Sequence, residues 1–212
     1  MSTLKVNNLK NVDGTRTLAS DSGTAWGWGS GVPKGSVIEE FMSPCDGSAI
    51  TVQSGTYTIQ AASGVFNLNS SWDDVTGSTI DYVPPTGTQT VVYSFTFQFS
   101  FADPSNAQDI GHFKLFLDND SGTATEVTDF RTTIGAASYL GGQFTLNWAF
   151  HIGGSTTTAT GRVATWTSAR TIKIQAREYG SSSQAKLFQT QYWDGTTSDV
   201  FSRPVIGIKA LA

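Results

Sequence analysis

The side chains able to do chemistry in this 212-residue chain are few and scattered. Its two histidines, His112 and His151, each fall in an alternating apolar run, at positions pointing away from the apolar side. A metal pair built on them needs a third ligand at suitable spacing, and no His/Cys/carboxylate cluster supplies one. We expect neither metal nor cofactor. Asp118-Asn119-Asp120-Ser121-Gly122 is rich in oxygen ligands, but an EF-hand loop wants a ligand where Gly122 stands and Gly where Thr123 stands. A hairpin turn explains the run better. Asp73-Asp74 and Asp118/Asp120 are the carboxylate pairs for glycoside hydrolysis, yet a chain with 17 Asp and Glu contains such pairs by chance. There is no G-x-S-x-G, no H-E-x-x-H and no phosphate loop, so the chain is read as non-enzymatic. What remains is aromatic side chains beside hydrogen-bonding ones: Trp72 before Asp73-Asp74, Tyr179 before Gly180 and three serines, and Trp193-Asp194 before Gly195. Aromatic faces stack on sugar rings while neighbouring Asp or Asn side chains bond hydroxyls. Trp72, Tyr179, Trp193 and Asp194 are therefore the candidates for binding a glycan or receptor. The competing role for each is to fill an end of the fold or a subunit interface.

These residues need a scaffold, and residues 90–103, TVVYSFTFQFSFAD, are its clearest element. Val91, Tyr93, Phe95, Phe97, Phe99 and Phe101 share one parity, while Val92, Ser94, Thr96, Gln98 and Ser100 share the other. Strand side chains alternate faces, so one face is almost wholly aromatic and needs an apolar layer opposite. Residues 111–117 place Phe113, Leu115 and Leu117 inward with His112 and Lys114 outward, and Phe144 to Ile152 alternate likewise. Further strands are expected at 49–53 and 56–61 around a Ser54-Gly55 turn, then at 79–83, 163–166, 171–179, 185–192 and 205–211. Residues 125–134 are strand-like with a slip between Val127 and Phe130 that signals a bulge. Residues 36–42 fit a short strand or a helical turn, and Trp72-Asp73-Asp74 reads as loop. No segment sustains helical periodicity. The expected fold is all-β: an antiparallel β-sandwich, jelly-roll-like, of about ten or eleven strands. Residues 1–34 have little to form a core and read as a short extended N-terminal arm before a head of 35–212.

Composition narrows the class. Charged residues are 14%, against about 25% in typical globular chains, and net charge is −4 with no basic run. Nucleic acid is not an expected partner. The one cysteine, Cys45, forms no intrachain disulfide, and a buried thiol without a role is its plain reading. The N-terminus lacks the apolar region of a signal peptide, and no run approaches about 18 apolar residues, so neither secretion nor a membrane span is expected.

Several blocks resemble virion structural proteins of marine, cyanophage-like bacteriophages, in the tail-fibre or fibre-like family. They are the opening STLKVNNLKNVDG, an S-x-L-K-V-N/D-N-x-x-N pattern, then Tyr82-Val83-Pro84-Pro85-Thr86-Gly87-Thr88, His112-Phe113-Lys114, Arg177-Glu178-Tyr179-Gly180 and Tyr192-Trp193-Asp194-Gly195. The resemblance implies a homotrimer located in the virion and assembled in the host cytoplasm. It implies an arm that attaches to other virion proteins or intertwines three chains, and a distal β-sandwich head. Threefold packing would cover apolar side chains such as some of Phe116, Phe130 and Phe188. It assigns no site residues. The alternatives are a lectin-like carbohydrate-binding domain and a capsid-decorating fibre protein.

Overall fold

The computed structural model describes residues 8–10, 17–21, 25–28, 33–100, 109–136, 141–180, 185–193 and 197–212. Two antiparallel sheets face each other. One orders Val37–Pro44, Val205–Leu211, Thr90–Ser100 and Gly142–His151, with Lys186–Leu187 and Phe66–Asn67 extending it beside Ser100. The other orders Ile80–Tyr82, Arg170–Glu178, Asp109–Asp118 and Ala124–Ala136, with Asp73–Asp74 on the same edge as Ile80–Tyr82. Taken along the chain, these main strands are first, eighth, third and sixth in one sheet, and second, seventh, fourth and fifth in the other. That is the strand order of a jelly roll, in which each sheet interleaves strands from both halves of the chain. The expected all-β antiparallel sandwich is what the chain forms.

Thr90–Ser100 lies at the centre because both its edges are paired, with Gly142–His151 on one side and Val205–Leu211 on the other. Val91, Tyr93, Phe95, Phe97 and Phe99 are all buried, and the residues between them are half-buried. Phe97 meets Phe95 at 5.5 Å and Phe113 of the opposite sheet at 5.6 Å between ring centroids. At the sandwich edge Glu39, 6% exposed, accepts from Ser54 N (2.8 Å), Ser54 Oγ (2.6 Å) and Tyr82 Oη (2.8 Å). These bonds tie the Val37–Pro44 strand to the second sheet and satisfy a carboxylate that burial would otherwise penalise.

Several expectations need correction. The strand read at 185–192 is two, because Phe188 adopts a positive φ of 67°. Lys186–Leu187 joins the first sheet, and Gln189–Trp193 forms a separate hairpin with Thr197–Phe201. A bulky residue takes this conformation only at a cost, and the compensation is burial: the Phe188 ring is fully enclosed between Phe66, Phe95 and Phe97. Residues 163–166 form no strand, since Val163 makes only an isolated bridge to Ile152. Asp73–Asp74, read as loop, pairs with Gln175 and Ala176 at an open sheet edge. The hairpin at Ala49–Val52 and Gly55–Thr58 turns at Gln53-Ser54, one residue earlier than read. Phe130 and Phe188 are buried within the single chain and need no threefold packing to cover them. Of the two readings of 36–42 the strand holds, as Val37–Pro44, and the bulge is present: Phe113 pairs with Thr132 but Leu115 with Val127. Asn8–Lys10, Thr17–Asp21 and Ala25–Trp28 pair with one another as a separate three-stranded antiparallel sheet.

The jelly-roll order divides the head into two ends. Gly35 N donates to Ala212 O at 2.6 Å and Ala212 N to Ser36 O at 3.0 Å, so these residues meet at one end of the sandwich. The Asn119–Thr123 turn also lies there. At the other end stand Pro44, Ser100, Asp109, Gly142, Glu178 and Val205. Because Phe97 bridges the two sheets, Phe97→Ala is expected to cost about 3–5 kcal/mol in urea unfolding. Gln98→Ala, on the opposite face of the same strand, should change stability by less than about 0.5 kcal/mol.

Candidate binding face

The outer face of the second sheet gathers several chemistry-bearing side chains. On Asp109–Asp118, burial of Phe113, Leu115 and Leu117 turns His112, Lys114 and Phe116 outward. On Arg170–Glu178, burial of Ile172, Ile174 and Ala176 does the same for Lys173, Gln175 and Arg177. The register sets His112 opposite Arg177, Lys114 opposite Gln175 and Phe116 opposite Lys173. Opposed side chains on one face lie about 5 Å apart at Cβ, so they form one surface. Trp72, just before the Asp73–Asp74 edge strand, lies under two cations: Lys114 Nζ is 4.5 Å and Arg177 Cζ 5.2 Å from its ring centroid. Tyr179, 72% exposed, stands edge-on to His112 with 5.9 Å between centroids. Tyr179 touches His112, His112 faces Arg177 across the strand pair, and Arg177 and Lys114 both touch Trp72, so the five lie in one patch.

The charges on this face are not equally satisfied. Lys114 pairs with Glu126 at 3.1 Å, and Arg131 reaches the same carboxylate at 2.7 Å. The Arg131 bond, joined by Lys114 and opposed by partial burial, holds the Glu126 carboxyl below its usual range. Lys173 pairs with Asp74 at 2.9 Å, and Gln175 Nε2 donates to Asp74 Oδ1 at 2.8 Å. Burial pushes Asp74 upward, but these two bonds outweigh it and leave the carboxyl below its usual range. Arg177 has no such partner: it makes no ion pair with any described residue, and its Nε is buried without a hydrogen-bond acceptor. Contact with the Trp72 ring compensates part of the charge, but a buried donor left unmade costs free energy. A guanidinium in this state is suited to a planar anion, which it bonds through two parallel N–H groups.

Of the sequence candidates, Trp72 and Tyr179 are brought to this one face. Trp193 ends the Gln189–Trp193 strand with its side chain outside the described residues, and Asp194 lies outside them altogether. Lys114 and Arg177 were not singled out from the sequence. Their signal was the outward parity of two strands, H-x-K-x-F and K-x-Q-x-R, which means little until register sets them side by side. His112, read as a plain surface histidine, has Nδ1 2.9 Å from Thr133 Oγ1 and belongs to the face. His151 sits on the other sheet beside Thr90. Asp118–Gly122 is a turn: Asn119 Oδ1 accepts from Ser121 N and Thr123 N, and Gly122 has a φ of 73°. Asp120 there pairs with the buried Arg170. Asp73 and Asp74, adjacent on a strand, point to opposite faces and do not form a catalytic pair. Among the described residues no group of three His, Cys, Asp or Glu is placed to hold a metal.

No family model matches this chain, and no curated protein does. Among solved structures, a chain from infectious bursal disease virus, Gx strain, is similar at 9% identity and a TM-score of 0.37, covering 92% of this chain and 48% of that one. A chain from the Gt strain is similar at 10% identity and a TM-score of 0.25, covering 92% of this chain and 52% of that one. This chain thus spans about half the length of the chains it matches. At such scores the likeness carries no argument about function.

The sole thiol lies apart from the face. Cys45 is fully buried with Sγ 3.2 Å from Gly77 O, and burial pushes its pKa up to about 12. It is expected not to react with Ellman's reagent at pH 8 in the folded protein and to react fully in guanidinium chloride; fast native labelling would contradict the burial.

Proposed function

We propose that this chain is a non-enzymatic structural protein of a bacteriophage virion: a homotrimeric fibre or tail-associated component whose head recognises a host-surface glycan or protein. The observation that carries this reading is the division of the head into two ends. The arm enters at Gly35, beside Ala212. Tyr179 follows Glu178 at the opposite end, where Tyr179 N bonds Ile110 O at 3.0 Å. A protein that hangs from its arm and meets a partner with its far end needs this arrangement. The resemblance of the opening residues and the later blocks to phage fibre proteins points the same way. The jelly roll alone does not, because the fold serves capsids, lectins and cupins alike.

The Trp72–Arg177–Tyr179 face favours a second reading, a lectin-like carbohydrate-binding domain acting outside a virion. The two readings part on assembly. Light scattering on the full chain is expected to give a trimer mass independent of concentration; a monomer would remove the fibre reading and favour the lectin. Deleting residues 1–34 is expected to abolish incorporation into virions while leaving thermal unfolding of the head unchanged, and a head that unfolds on this deletion would overturn the domain boundary at 34–35.

A further inference from the structure

We propose that the face around Arg177 is a binding site for an acidic saccharide, one carrying a single carboxylate per sugar ring such as a uronic or sialic acid. The proposal rests on the reading that this face recognises a glycan, and adds the charge and the residue that selects it. Each cation on the face except Arg177 already has a counterion: Glu126 holds Lys114 and Arg131, and Asp74 holds Lys173. One half-buried guanidinium is left over, with its Nε desolvated and unbonded. Part of the desolvation cost has therefore already been incurred at Arg177, and an incoming carboxylate would gain charge-assisted bonds at the terminal guanidinium nitrogens without first displacing an internal partner.

The surroundings narrow the ligand further. Trp72 stacks beneath Arg177 and Lys114, and Tyr179 stands exposed at the other end of the row, so the unpaired Arg177 charge is bracketed by aromatic rings. That pairing fits a sugar ring bearing an acid group. His112 and Thr133 lie in the same cross-strand row and add hydrogen-bonding groups for hydroxyls. A polyanion such as nucleic acid is disfavoured. It needs a line of free cations, and here Glu126 and Asp74 would face its further phosphates. The attraction is also local, since the whole chain carries a net charge of −4.

The test is titration calorimetry on the full-length protein with two matched pairs of probes: tri-galacturonic acid against its methyl ester, and sialyllactose against lactose. At least one acid is expected to bind about tenfold or more tightly than its neutral partner, and to weaken as salt is raised. Arg177→Met should erase that preference while Arg177→Lys keeps part of it, and Trp72→Ala should weaken acid and neutral sugar alike. The esterified probe tests the charge on the unaltered protein, so the proposal stays open to refutation even if a variant fails to fold. Equal binding of acid and neutral sugars would overturn it and leave glycan recognition standing. Binding of none of the four probes would overturn both.

Discussion

The structure depends on burying one face of one strand. Tyr93, Phe95, Phe97 and Phe99 put four aromatic rings in a row at every second residue, and none of them can face water without a large loss of hydrophobic stabilisation. The second sheet exists to cover them, which it does through Phe113, Leu115, Ile172 and Ile174. The same demand explains Phe188. Its backbone holds a left-handed conformation because the ring completes the enclosure of Phe95 and Phe97. Local strain is tolerated where packing overdetermines it.

That burial also creates the surface. In a strand, whatever turns one residue inward turns its neighbours outward. Phe113, Leu115 and Leu117 go in, so His112, Lys114 and Phe116 come out; Ile172, Ile174 and Ala176 go in, so Lys173, Gln175 and Arg177 come out. The cations of the face are thus held by the core itself, on paired strands, with Trp72 and Tyr179 on the strands' flanks. Side chains placed this way keep their geometry better than side chains on a flexible connection. The ion pairs to Glu126 and Asp74 then settle which cation stays unmatched.

Jelly-roll connectivity adds direction. Antiparallel strands that interleave across two sheets leave each connection at one end or the other, and here Gly35 and Ala212 share an end. Gly35 and Ala212 are thereby held at the end opposite Tyr179.

The alternating pattern alone determined the all-β class, the central strand, the inward residues of the strands at Asp109–Asp118 and Gly142–His151, and the existence of strands at Arg170–Glu178 and Val205–Leu211, because period-two burial is written directly in residue order. It also marked Trp72 and Tyr179 one at a time, as aromatics beside polar neighbours. It could not place them together, because they are far apart along the chain and meet only across neighbouring strands and their flanks. Nor could it show that Phe188 breaks a strand or that Asp73–Asp74 makes one, since both follow from what lies beside them in space. Arg177 is the sharpest case. Its type was visible, but its lack of a counterion is a property of register: one strand sets it opposite His112 rather than an acid, while Lys114 and Lys173 reach Glu126 and Asp74. Residue order decides which face a side chain takes, and only tertiary pairing decides which charges it meets there.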